Sequence, residues 1–226
     1  LPSDPGGTPP RDGTDTLRRL TRTRPWRAAR LRARVTARRT RSAGAFVVRA
    51  LAQPALVGAV VPSSRRLASA MAAAADGAQW IVELGAGTGA VTDALHRRHP
   101  TLPLVAVEID PQWAQRLRQR YPRLDVRCAP AHEVLAALQS RRGDAVIVSS
   151  LPFRSLPPVW HDVTRRAIEE FLRADPRRRL VQYTYQPRAP FAVDPAGGLV
   201  WRRRGVVWGN LPPAWIWQLG ARPPAR

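Results

Sequence analysis

Lysine is absent from this chain. All 37 basic residues are arginine, set against 16 acids for a formal net charge of +21. With alanine and proline abundant as well, the bias is compositional as much as functional, which excludes reading the whole charge as a binding signal. Cysteine is nearly absent too: Cys128 stands alone, so no disulfide can form within the chain, and a reducing cytoplasm is the simplest compartment. Cys128 is expected in a strand, as a core residue. No run of 18 apolar residues occurs; the best stretch, 45–61, is broken by Arg49, Gln53 and Pro54, which excludes a membrane span there. Acids are missing between Asp15 and Asp76, where fourteen arginines stand, and that favours an anionic partner over a free small molecule.

At 226 residues the chain can build one α/β domain with an appendage. Residues 1–16, rich in Pro, Gly, Asp and Thr, are expected to be a disordered tail. Residues 17–42 read as an Arg-rich helical extension. There Arg27, Arg30, Arg34, Arg38 and Arg41, spaced by 3, 4, 4 and 3, share one helix face, with Leu31 and Val35 on another. That stripe reads equally as a basic helix on an anionic membrane surface, over residues 18–41, or as a solvated face. The domain proper is expected over 43–220, with a tail at 221–226.

Residues 79–90, QWIVELGAGTGA, organise the rest. Apolar residues lead into Glu83, and glycines follow at 85, 87 and 89 before an alanine-rich helical segment. This is a strand, a tight loop and a helix start. Glycine permits positive φ and close ligand approach, while the helix N-terminus offers unpaired N–H groups. A carboxylate at the strand mouth would repel a pyrophosphate and suits a ligand with a cationic end. The G-x-G-x-G spacing also departs from the G-x-G-x-x-G of dinucleotide sites. Twenty-five residues beyond Glu83, an apolar run ends in Glu108, placed to grip ribose hydroxyls.

A helix over 65–75 is expected upstream, capped by Ser63 or Ser64 and stopped by Gly77. Downstream, helices are expected over 90–99, 112–121 after Pro111, 131–139, and from Pro157 or Pro158 to 173. Strands are expected over 104–108, 124–128, Ala145–Ser149 and 180–185. This alternation implies a parallel sheet with helices on both faces and ligands beyond the carboxyl ends of its strands. Strand-like runs follow at 199–208 and 214–219, with no helical run between them.

The loop, with Glu83 at its head, resembles the first motif of the Rossmann-like S-adenosylmethionine-dependent methyltransferases, E-x-G-x-G-x-G. Four further segments resemble the bacterial phospholipid N-methyltransferases: residues 54–59 followed by Pro62-Ser63-Ser64; Ser150-Leu151-Pro152; Gln182-Tyr183-Thr184-Tyr185-Gln186-Pro187; and the Trp-rich stretch 203–217. Members of that family methylate phosphatidylethanolamine stepwise towards phosphatidylcholine. The resemblance covers about residues 43–219. It implies a mostly parallel seven-stranded sheet with helices on both faces, and S-adenosylmethionine held by Glu83, Gly85, Ala86, Gly87, Gly89, Glu108, Ile109 and Ser149. It further implies a phospholipid acceptor near Pro62, Ser63, Ser64, Ser150, Leu151, Pro152 and Arg188, with Tyr183 or Tyr185 orienting or deprotonating the amine, and no metal. The implied place of action is cytoplasmic, peripheral on the inner face of the membrane.

Two departures keep alternatives open. In adenine amino-methyltransferases, ribosomal RNA adenine dimethyltransferases included, N-L-P-Y stands at the end of the fourth strand. Here Ser150 replaces the asparagine and is too short to make its paired contact with a flipped base, although Phe153 can still stack on one. Nucleic acid is thus the weaker acceptor. Ala129-Pro130-Ala131 replaces the usual G-D-A, whose aspartate meets the adenine amine; His132 or Glu133 could substitute, but an exposed helical position is the favoured reading of both. That loss leaves a third alternative, a non-catalytic membrane- or nucleic-acid-binding protein on a degenerate methyltransferase fold.

Overall fold

The structure, a computed structural model, describes residues 62–222. The expectations for residues 1–42, the arginine stripe and the 54–59 motif lie outside the described residues, as do the side chains of Pro62, Ser63 and Ser64. In chain order the elements are α1 (Pro62–Ala73), β1 (Trp80–Leu84), α2 (Ala90–Arg98), β2 (Leu104–Val107), α3 (Pro111–Arg120), β3 (Asp125–Arg127) and α4 (Ala131–Leu138). There follow β4 (Ala145–Ser149), a 3-10 turn (Phe153–Ser155), α5 (Pro158–Arg173), β5 (Arg179–Thr184), a second 3-10 turn (Pro195–Gly197), β6 (Leu199–Val207) and β7 (Ala214–Ala221).

One seven-stranded sheet runs in the order β3-β2-β1-β4-β5-β7-β6. Neighbours pair in parallel except those involving β7, which runs antiparallel to both β5 and β6. β1 and β4 are buried at every position, as central strands covered on both faces must be. Along β1 the side chains alternate: Trp80, Val82 and Leu84 join Leu135, Ile168 and Phe171 under α4 and α5, whereas Ile81 joins Met71 and Leu95 under α1 and α2. Trp80 meets Phe171 edge-on at 5.9 Å between ring centroids. This is the Rossmann-like methyltransferase fold, with helices on both faces. β7 runs to Ala221, one residue past the expected domain end, and the Arg222 amide donates to the Gly198 carbonyl at 2.8 Å.

Several local features follow from the residues. Asp110 caps α3, accepting from the amides of Gln112 at 2.8 Å and Trp113 at 3.2 Å, with Pro111 at the first helical position. α1 begins at Pro62, so Ser63 and Ser64 lie inside its first turn rather than before it, where the sequence reading had placed them. Cys128 is a second correction. β3 is a short edge strand that stops at Arg127, because the chain then turns away to line a cleft, and the thiol is left exposed.

Arg178 joins three segments. It is only 3% exposed, its guanidinium lies 4.2 Å from the centre of the Phe171 ring, and it donates to the carbonyls of Phe171 at 3.0 Å, Gln139 at 3.0 Å and Arg141 at 2.6 Å. Arg178→Met would leave those carbonyls without that donor, so the variant should lose about 3 kcal/mol of stability, read as a lower urea midpoint at unchanged slope.

Candidate active site

The loop after β1 is tied to the end of β2: the amides of Gly85 and Ala86 donate to the Val107 carbonyl at 2.9 and 3.1 Å. Gly85 has φ 75°, and a Cβ there would stand 2.9 Å from Leu151 Cδ2, so a side chain would collide with the segment after β4. Gly87, at φ 51°, donates its amide to Glu108 Oε2 at 2.7 Å. Glu108 is 2% exposed, and its other oxygen accepts from the Asp110 amide at 2.8 Å. Burial pushes its pKa up, against these hydrogen bonds. Each carboxylate oxygen still has a lone pair to offer, which is what ribose hydroxyls need.

Glu83 lies deeper than its place at the strand mouth implies. Its carboxyl is fully buried, with Oε2 accepting from the Thr92 hydroxyl at 2.7 Å and Oε1 without a hydrogen-bond partner. Burial pushes its pKa up to about 7; the neighbouring Glu108 adds to this and the Thr92 bond opposes it. No ion pair reaches Glu83 or Glu108 among the described residues.

Beside Glu108 opens an apolar cleft walled by Gly85, Ile109, Ala129, Pro130, Leu151 and Trp160. A flat heteroaromatic group fits such walls. The replaced aspartate leaves the wall at Ala129 and Pro130 apolar: Glu133 faces solvent, and His132 packs against Trp160 with ring centroids 5.7 Å apart. Trp160 was not foreseen, since nothing in its own stretch marks it until α5 folds over the cleft.

Other expected cofactor residues stand differently. The Ala86 side chain packs with Ala106, Ala114 and Leu117 under α3, leaving only its backbone for a ligand. Ser149 is fully buried and its hydroxyl accepts from the Leu151 amide at 3.2 Å, so it shapes the turn after β4 and offers a ligand no open face. Leu151, expected at the acceptor, sits in the cofactor cleft.

The residues expected near the acceptor lie at the ends of β4 and β5. Ser150 is half-buried, its amide donating to the Leu84 carbonyl at 2.9 Å, and Pro152 precedes the 3-10 turn. Gln182, which opens the motif at 182–187, donates to the Leu151 carbonyl at 2.9 Å and so fixes this turn from β5. Phe153 offers no base-stacking face: it is 3% exposed and packs on Phe191 at 4.7 Å between centroids. The Tyr183 and Tyr185 rings meet edge-on at 5.5 Å. Burial pushes the Tyr183 phenol well above its ordinary range, which favours its protonated form. Tyr185 is half exposed at the carboxyl edge of the sheet. Arg188 lines a second, open cleft with Arg154, His161 and Asp162, where the His161 Nδ1 lies 3.0 Å from the Asp162 carboxylate.

Comparison with known proteins agrees with this geometry. Residues 81–174 match a family model described as "Methyltransferase domain". The chain is 32% identical over 103 residues to the ornithine lipid N-methyltransferase of Singulisphaera acidiphila, covering 43% of this chain and 54% of that protein. It is 38% identical over 81 residues to ribosomal RNA small subunit methyltransferase A of Salinibacter ruber, covering 35% of this chain and 27% of that protein. The matched stretches thus span about half or less of these relatives. Among solved structures, TrmN from Thermus thermophilus superposes with a TM-score of 0.50 at 20% identity, over 72% of this chain and 51% of that one. A Klebsiella pneumoniae protein described as an O-methyltransferase gives 0.52 at 15% identity, over 74% and 83%. At these identities the structures show the fold alone. The residues present fit S-adenosylmethionine, the methyl donor of this fold: an apolar cleft for adenine, Glu108 for ribose, and buried carboxylates for a cationic end.

Glu83 also makes stability depend on pH. The folded chain keeps its proton up to about pH 7, whereas the unfolded chain releases it near 4.5, so the unfolded state binds fewer protons across that window and stability falls as pH rises. The fall should reach about 3 kcal/mol. Glu83→Gln keeps an acceptor for Thr92 and should flatten the profile, as urea midpoints at pH 5 and pH 8 will show.

Proposed function

We propose that this protein is an S-adenosylmethionine-dependent N-methyltransferase whose acceptor is the amine of a membrane phospholipid, with phosphatidylethanolamine the headgroup to which the sequence motifs point. Phe153 carries the choice of acceptor. A base-stacking aromatic must offer a face, and this one is enclosed, while Ser150 lacks the amide that holds an adenine amine. The likeness to a lipid N-methyltransferase supports the same reading. The arginine stripe at 18–41 would add attraction to an anionic bilayer on the inner face of the membrane.

The cofactor supplies an electrophilic methyl group; the chain supplies position. Glu108 would hold the ribose and Ile109, Leu151 and Trp160 the adenine, while the charged amino acid end would lie against the glycine loop with the buried Glu83 carboxyl beneath it. Gln182 donates to the Leu151 carbonyl and so would hold the turn after β4, which carries Ser150, in one conformation. Tyr185 would orient the amine by its hydroxyl and ring face. Removing the Glu108 carboxylate should weaken S-adenosylmethionine binding roughly ten- to a hundredfold, consistent with hydrogen bonds to a charged acceptor of about 1.5–3 kcal/mol; calorimetry on Glu108→Ala reads this directly.

A second reading has its own support, the identity to a ribosomal RNA methyltransferase over 81 residues. Methyl transfer from labelled S-adenosylmethionine, run in parallel on phosphatidylethanolamine vesicles and on ribosomal RNA, separates the two. The lipid should be labelled and the RNA not. Tyr185→Ala should lower lipid turnover about tenfold while leaving cofactor affinity unchanged. Label in RNA adenines alone would replace the lipid reading, and no binding of S-adenosylmethionine by the parent protein would favour a non-catalytic role.

A further inference from the structure

β6 runs in the same direction as β5, so the turn between β6 and β7 emerges at the edge of the sheet where β4 and β5 end. Two large apolar side chains project from that turn, Trp208 at 75% exposure and Leu211 at 71%. Fraying is not the cause. Asn210 between them is 6% exposed, its amide donating to the Val207 carbonyl at 3.2 Å and its side chain to the Pro212 carbonyl at 2.7 Å, so the tip is pinned with Trp208 and Leu211 turned outward. Arg66 of α1 lies against Gly209 closely enough to leave no room for a Cβ there. With one strand, β7, separating β6 from β5, the tip stands roughly 10 Å across the sheet from the end of β5, where Tyr185 and Arg188 are exposed.

We propose that the β6–β7 tip is a wedge that enters the headgroup layer of an anionic lipid bilayer and sets the acceptor opening against the membrane. This deepens the lipid reading above and rests on it. Three observations favour lipid over another macromolecule. Trp208 and Leu211 together offer roughly 300–400 Å², well short of the about 800 Å² per partner of a stable protein interface. Tryptophan beside an aliphatic side chain suits a bilayer interface, where the indole sits at the headgroup level and the aliphatic chain among the acyl chains. Arg66 and Arg188 add positive charge at the same edge.

The test is sedimentation of the full chain with phosphatidylglycerol–phosphatidylcholine vesicles in 0.5 M salt, which screens the arginine contribution and leaves the apolar wedge in view. The double substitution Trp208→Ser, Leu211→Ser should reduce partitioning roughly ten- to a hundredfold. Trp208→Phe should retain most of the binding, and brominated lipids should quench the parent's emission more than that of Trp208→Phe. Cofactor affinity and methylation of a monomeric short-chain aminophospholipid should not change in the double variant. Unchanged partitioning would overturn the wedge, as would a loss of self-association or RNA binding with vesicle binding intact. Should the parent methylate RNA and no lipid, the acceptor reading fails, and the vesicle measurement still reads the wedge separately.

Discussion

Two carboxylates, Glu83 and Glu108, are buried at the ends of adjacent strands under one glycine loop, and in an arginine-rich chain no arginine among the described residues pairs with either. That unneutralised pair is the constraint from which the site follows. Desolvation raises both pKa values, and the cost is tolerated because backbone amides and Thr92 take up part of the charge. A cation arriving above them would relieve the rest. Were an arginine seated there, the carboxylates would be satisfied without a ligand and the loop would have no electrostatic preference for one.

The sheet order divides the labour. β1 and β2 carry the two acids, and the cleft beside them is closed on its other side by the segment after β4 and by α5, while β4, β5, β7 and β6 carry the edge proposed for the acceptor. The halves meet at the turn after β4, where Leu151 fills the space that Gly85 leaves and Gln182 holds the Leu151 carbonyl. Small changes there would move both sites together. A glycine at 85 and a glutamine at 182 are thus two parts of one fixture, although nearly a hundred residues separate them.

Much of the fold was legible because its signals are local. Apolar runs at 80–84 and 145–149 marked strands, Pro111 after Asp110 marked a helix start, and the glycine loop marked the ligand end. What escaped depends on partners far away in the chain. Phe153 and Tyr183 look like available aromatics until Phe191 and the α1 face close over them. Cys128 looks like a strand residue until β3 stops short. Trp160 gains its place only when α5 packs over the cleft, and the insertion of β7 between β5 and β6 leaves no mark in either strand's own residues.

The arginine bias shows how composition and fold constrain each other. Compositional pressure can set which base is available, but burial decides where one survives. Arg178 is tolerated inside because a planar guanidinium spreads its donors over three carbonyls, one from α5 and two from the turn after α4, which a single ammonium nitrogen could not reach at once. Arg165 and Arg173 lie one turn either side of Glu169, which is 5% exposed, and both donate to it. Such arginines serve the fold and say nothing of a ligand. Charge at the acceptor edge is of another kind: Arg66 and Arg188 are exposed there, beside an outward tryptophan and leucine rather than a buried acid. The total charge therefore carries little functional information, whereas its pairing with exposed apolar surface at one end of the sheet carries a good deal.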